Sequence, residues 1–246
     1  EGAAVCVTVD CGITAFAPLE AASEAGLDMI VVDHHVAEPS LPRAIAVVNP
    51  NRLDEDSPHG QLAAVGVAFL LVVALNRRLR EEGWYASRPE PDLMQWLDLV
   101  ALGTVCDVVP LTGLNRALVA QGLKVMGWRN NTGLRALSEV ARIDEAPGTY
   151  HLGFLLGPRV NAGGRVGRAD LGTRLLSTED AGEAASLAAE LDSFNTERKL
   201  IEQSVQEEAL AQVERHADGP LLVATGEGWH PGVIGIVAGR LKQRFH

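Results

Sequence analysis

Three short apolar runs open the chain, and each one ends on polar residues. Ala3–Val9 is apolar and β-branched and stops at Asp10. Met29–Val32 stops at Asp33-His34-His35, and Ile45–Val48 stops at Asn49-Pro50. Between the first two lies Ala15–Ala25, whose pattern predicts a helix closed by Gly26. Short continuous β-branched runs separated by a helix predict parallel strands covered on both faces. The expected fold class is α/β, a parallel sheet with helices on both faces. Sheets of this kind bind ligands beyond the carboxyl ends of their strands. Asp10 and the Asp33-His34-His35 trio fall there.

From Leu62 to about Ala141 the pattern turns helical. The longest apolar run, Leu62 to Leu75, has 14 residues, whereas a membrane-spanning helix needs about 18–20. It predicts a buried helix with residues 76–82 as its solvated end. Leu93, Trp96, Leu97, Val100 and Ala101 recur at helical spacing. Gly103 and Pro110 bracket the end of that helix and leave Asp107 at its exit. Gly157 to Asp170, rich in glycine and arginine, reads as a loop. Glu179 to about His216 reads as one long helix, striped by Leu187, Leu191, Phe194, Ile201 and Val205. At 1.5 Å per residue it reaches roughly 55 Å, which suits a connector between domains or, alternatively, a coiled-coil arm. A strand, Leu221–Ala224, and a glycine-spaced helix, Pro231–Phe245, then read as the opening of a second α/β domain. The expected organisation is a first domain over 1–178, a connector over 179–216 and the start of a second domain over 217–246. The chain begins at Glu1 just before a core strand and stops inside that second domain, so it is expected to be a piece of a longer polypeptide.

Composition narrows the function classes. The 246 residues are 47% hydrophobic, 22% charged and 4% aromatic, which excludes a disordered tail, a collagen or a coiled-coil rod. Lys+Arg 21 against Asp+Glu 32 gives a net charge of −11. Such a chain is no general polyanion binder, and a nucleic-acid role requires a local basic patch or a metal. The three cysteines, Cys6, Cys11 and Cys106, form no CxxC pair. They argue against a disulfide framework or zinc ribbon and suit a reducing, cytoplasmic setting.

The candidate chemistry lies in three places. Asp33-His34-His35 brings a carboxylate and two imidazoles to the end of a buried strand. Burying such groups unpaired costs on the order of several kcal/mol, which a metal or phosphate would offset; a hydrogen-bonded surface loop is the plain alternative. Asp10 ends the neighbouring strand, and Asp107 sits in an apolar surround as either a helix cap or a ligand. Asp10, His34, His35 and Asp107 together offer oxygen and nitrogen donors without a thiolate, a set that suits Mn²⁺ or Mg²⁺. The second place, Gly157 to Arg168, has no Walker signature. Its Arg159, Arg165 and Arg168 stand among small residues and can approach phosphates through guanidinium and backbone N–H groups, or form a plain exposed basic loop. In the third, His230 precedes Pro231 at a helix start, where phosphate docks readily or the histidine simply caps.

These segments resemble the RecJ exonucleases of the DHH phosphoesterase superfamily. The likeness is carried, in order, by Thr8–Ile13, Val32–His35, Val65–Phe69, Leu99–Leu111, Gly157–Arg165 and Trp229–Ala238. The last stretch matches the opening of the family's DHHA1 domain. The resemblance implies two divalent ions, Mn²⁺ or Mg²⁺, at the sheet edge. Asp10 would bridge both, and His34 and Asp107 would complete one shell. His35 would face the phosphate, with Asp33 supporting the first histidine. Arg159, Asn161 and Arg165 would line a DNA cleft, with His230 as a further phosphate contact. The implied reaction is 5′-to-3′ hydrolysis of single-stranded DNA to mononucleotides, in recombination and repair, with a single-strand-binding protein or helicase as partner. The family's first motif (a strand followed by paired aspartates), its glycine-histidine motif, its serine-arginine phosphate pocket and its OB-fold domain are missing from these 246 residues. The chain alone is therefore expected to be inactive and its longer parent active. Cys106 and Gly163 stand where relatives often carry alanine. Two other readings stay open: a DHH-family phosphatase of short oligonucleotides or small phosphoesters, and a catalytically inactive RecJ-like replication scaffold.

Overall fold

The computed structural model describes residues 2–214 and 221–245. Three parallel strands, β1 (Val5–Val9), β2 (Asp28–Val32) and β3 (Ala46–Val48), form a sheet in that order. Val9 pairs with Val32, and Val32 with Val48, so the carboxyl ends finish level. The ladder runs one residue further, since Asp10 N donates to Val32 O and Asp33 N to Val48 O, both at 3.0 Å. Asp10, Asp33 and Asn49 thus emerge side by side at one edge.

Side chains of β2 alternate between the two faces. Met29 and Val31 pack against Leu19 of α1 (Phe16–Glu24). Ile30 and Val32 pack against a cluster from α2 (Ala64–Glu81), α3 (Leu97–Cys106) and α4 (Gly113–Gly127), with Val67, Val100, Leu118 and Val125 at its centre. The α/β reading therefore holds, with β2 covered on both sides. β1 is one of the sheet's two edges among the described residues: Cys6 packs on the α1 side, while Val5, Val7 and Val9 face the other way and stay half-exposed.

The apolar run after Leu62 differs from its expectation. Ala64, Gly66 and Val67 are buried, but Val72, Val73 and Leu75 are exposed. The buried residue at the far end of α2 is the polar Asn76, satisfied by Glu90 and Tyr85. A uniformly apolar run hides which face a helix buries, so it could not show that only one face meets the sheet. Gly103 does not end α3 either, which continues to Cys106. It lies where α2 crosses: a Cβ there would come 2.8 Å from Val65 Cγ1.

The chain divides into two compact units, Glu1–Trp128 with Pro147–Gly153, and Arg129–Ala146 with Phe154–His246. This division differs from the expected boundaries at 178 and 216. In the second unit α5 (Thr132–Val140), α6 (Gly157–Val166) and α7 (Leu171–Ser177) pack on the first part of α8 (Ala181–Val213), and α9 (Pro231–Phe245) packs on its later part. α8 is one helix of 33 residues, N-capped by Asp180, whose side chain accepts from Glu183 N. Its buried residues run from Ala184 through Leu191 and Val205 to Val213. A helix buried along its whole length is part of a core, not a coiled-coil arm.

Two further expectations are corrected here. Residues 157–166 are helical, not loop, although four of them are glycine or proline. Gly163 admits a close approach, since a Cβ would lie 3.1 Å from Leu191 Cδ2, and tertiary packing overrides poor intrinsic propensity. Leu221–Ala224 forms no strand; Leu221 and Val223 are exposed, and no described strand lies in the second unit to pair with them. Among the described residues no helix is long and apolar enough to cross a membrane.

Candidate metal centre

The level strand ends set the site in the first unit. β1 ends in a sharp turn, with Asp10 at φ 64° and Gly12 at φ 119°. Positive φ is uncommon for a non-glycine residue. Asp107 caps the C-terminus of α3, its N–H donating to Gly103 O at 3.0 Å, and Val108 beyond it is also left-handed, at φ 61°. A carboxylate at that end of a helix opposes the macrodipole. Burial pushes the Asp107 carboxyl above its ordinary range; His34 pulls it down and the Asp10 charge pushes it further up.

His34 joins the two carboxylates. Its Nδ1 lies 3.0 Å from Leu62 O, and a carbonyl can only accept, so Nδ1 carries a proton. Nε2 then faces Asp10 Oδ1 at 3.3 Å and Asp107 Oδ2 at 3.5 Å. It is buried and has no hydrogen-bond partner. An orphaned lone pair between two carboxylate oxygens is satisfied only by a proton or a cation. Donors bound about 2.0–2.3 Å from one ion, at octahedral or tetrahedral angles, lie about 2.8–3.8 Å apart. His34 Nε2 therefore lies within ion-sharing distance of each carboxylate in turn, while the described group whose ligand atoms all lie within 4.8 Å of one another is Asp10, His34 and His35.

Asp33 is 1% exposed. Its carboxylate accepts from Ile13 N at 3.0 Å, His34 N at 2.8 Å, His35 N at 3.3 Å and His35 Nδ1 at 2.7 Å. Burial raises its pKa, but these bonds outweigh burial and hold it below the usual carboxylate range. The bond to Asp33 raises the His35 pKa above its ordinary value; burial opposes it, and the charges of Asp33, Asp10 and Asp107 add. The family resemblance implied that Asp33 supports the first histidine. It touches His34 only through the backbone amide, and its ring partner is His35. In Asp33→Asn, His35 is expected to titrate closer to its ordinary value than in the unsubstituted metal-free protein, as read by NMR of the imidazole protons. An unchanged His35 titration would contradict this pairing.

Two residues escaped the sequence reading. Asn49 Nδ2 donates to His35 O at 2.9 Å, and Asn51 Nδ2 donates to His34 O at 2.5 Å and Gly60 O at 3.0 Å. Asn51 N in turn donates to Asn49 Oδ1 at 2.7 Å. The signal was present: Asn49 ends the third apolar run, at the same sheet edge as the aspartates.

The DHH family, N-terminal domain, matches residues 4–104. The single-stranded-DNA-specific exonucleases RecJ of Dickeya dadantii and Escherichia coli are each 47% identical over all of this chain, which spans 44% of their length. A crystal structure of exonuclease RecJ bound to manganese superposes with a TM-score of 0.85 at 37% identity, covering 98% of this chain and 59% of that one. RecJ of Thermus thermophilus in complex with Mg²⁺ gives 0.74 at 34% identity, over 98% of this chain and 33% of that one. The chain is thus similar to the DHH family over residues 4–104 and to RecJ proteins along its whole length, while spanning less than half of the two curated relatives named above.

The remaining candidates lie in the second unit. Arg159 is mostly buried; its Nε donates to Asp192 Oδ1 and its Nη1 to Leu155 O, both at 2.8 Å. Asn161 and Arg165 are exposed on α6. Arg165 Nη1 donates to Gly232 O at 3.0 Å, and its own carbonyl lies so close that a Cβ on Gly232 would be 2.3 Å away. His230 Nδ1 accepts from Gly232 N at 3.0 Å and so caps α9. In the first unit, burial and the Asp107 charge push the Cys106 thiol up to about 11. It stays protonated at neutral pH, as suits a filler and not a nucleophile.

Proposed function

We propose that this chain supplies part of the active site of a metal-dependent single-stranded-DNA exonuclease that hydrolyses phosphodiester bonds from the 5′ end to mononucleotides, in DNA recombination and repair. The observation that carries this reading is the orphaned Nε2 of His34 between the carboxylates of Asp10 and Asp107. The similarity to Mn²⁺- and Mg²⁺-bound RecJ supports it. Asp10, His34 and Asp107 would hold the cation; once bound, a divalent ion lowers the pKa of water and neutralises phosphate charge.

The chain's own residues do the rest. Asp33 fixes the His35 ring through Nδ1, which leaves the other ring nitrogen to donate to a phosphate oxygen. The raised pKa of His35 keeps that donor protonated over a wider pH range. Asn161 and Arg165 contact the DNA backbone without reading its sequence. Arg165, bonded to Gly232 O, and His230, capping α9, would present the α9 N-terminus to a phosphate, and Arg159 would do so only on leaving Asp192. Three free cysteines support a reducing, cytoplasmic setting, and a single-strand-binding or helicase partner rests on family resemblance alone.

The test is release of label from 5′-labelled single-stranded DNA by the full-length protein with Mn²⁺, beside duplex DNA and a dinucleotide. Mononucleotide release from the long single strand is expected. Hydrolysis of the dinucleotide alone would move the assignment to a small-substrate phosphatase, and no hydrolysis would favour the scaffold.

A further inference from the structure

We infer that Asn115, on α4 and outside the ligand set, is a positioning residue for the metal centre that clamps together the two segments presenting His34 and Asp107. This rests on the metal reading above.

Asn115 is 2% exposed. Its Nδ2 donates to Gln61 O at 2.6 Å and to Pro110 O at 3.0 Å. Gln61 immediately precedes Leu62, whose carbonyl accepts from His34 Nδ1 at 3.0 Å. Pro110 lies just beyond Asp107 and the left-handed Val108. A single amide therefore ties the carbonyl segment that fixes the His34 tautomer to the turn that aims Asp107. Thr112, which precedes α4, adds a second tie through its Oγ1 to Gln61 Oε1 at 2.6 Å.

The orientation of the Asn115 amide is not free. Both acceptors are backbone carbonyls, so the nitrogen must face them, and Oδ1 is left buried without a partner. Leaving such an acceptor unsatisfied costs about 1–3 kcal/mol. What offsets that cost is the pair of donated bonds, which hold the Gln61 and Pro110 carbonyls and so set where the His34 lone pair and the Asp107 carboxylate meet. Nothing in the local sequence announces this: Asn115 stands 81 residues from His34 in the chain.

The test is calorimetric titration of Mn²⁺ into the metal-free full-length protein, with thermal unfolding measured in parallel. The control is Asn76→Ala, which removes a buried asparagine of the same unit bonded to Glu90 and Tyr85, away from the site. Asn115→Ala is expected to weaken Mn²⁺ binding by about 10–100-fold, the usual effect of losing an outer-shell support. Asn76→Ala is expected to lower the melting temperature yet leave affinity within about twofold, as independent sites do. Should Asn115→Ala not fold, Asn115→Ser takes its place with the same expectation. Unchanged affinity in the Asn115 variant, or equal weakening in Asn76→Ala, would overturn the inference. Absence of Mn²⁺ binding by the unsubstituted protein would instead remove the metal reading itself, and the clamp with it.

Discussion

Asp107→Ala in the full-length protein is expected to lower turnover on single-stranded DNA by more than about 100-fold, since loss of an outer-shell support already costs up to that much. The same substitution is expected to raise the melting temperature of the metal-free protein. The Asp107 carboxyl is held above its ordinary range by burial, with the Asp10 charge adding and His34 opposing. A raised acid favours its protonated form in the folded state. At neutral pH the ionised carboxylate is therefore a penalty on the fold, absent at low pH and growing as pH rises above the unfolded value. Its place at the C-terminal end of α3 adds to that penalty. Saturating Mn²⁺ should reverse the order, because only the unsubstituted protein gains full binding energy. A catalytically inactive scaffold would show no turnover to lose, and a purely structural Asp107 would show destabilisation without metal.

The second large effect concerns the packing that delivers Asp107. A Cβ at Gly122 of α4 would lie 2.0 Å from Leu97 O and 2.6 Å from Ala101 Cβ of α3. The first obstacle is backbone and cannot rotate away. Gly122→Val is expected to destabilise the protein by about 3 kcal/mol or more, the upper end for overpacked cores, by forcing α3 off α4. Urea unfolding checks this as a lowered midpoint with the slope unchanged. A change below about 0.5 kcal/mol, the range of neutral surface substitutions, would mean that the two helices are not in the contact described. Weaker metal binding should accompany the loss, because α3 ends at the ligand.

What could be read in the sequence was local. The polar residues after the apolar runs marked the sheet edge, and Asp10 and Asp33-His34-His35 follow directly from where the strands end. Asp107 could be placed at a helix exit but not aimed, since its approach to His34 depends on how α3 packs. The misread pieces share one cause. Residues 157–166 look like a loop because glycine and proline disfavour helix in isolation, and only the neighbouring α8 shows why Gly163 is needed. The apolar stripe of α8 marked a long helix but did not reveal that α5, α6 and α7 cover its first part and α9 its later part. The run from Leu62 to Leu75 gave no sign of a face, being apolar all round. Asn49, Asn51 and Asn115 act by donating to backbone carbonyls, and a carbonyl has no signature in a sequence.

The central claim is that Asp10, His34 and Asp107 grip one cation. Crystals of the full-length protein grown with Mn²⁺ and measured at the manganese absorption edge test it directly. The account predicts an anomalous peak within about 2.0–2.6 Å, the range of such ligand bonds, of His34 Nε2 and of one oxygen from each carboxylate. A peak that leaves His34 unligated, or none at this sheet edge, would contradict it.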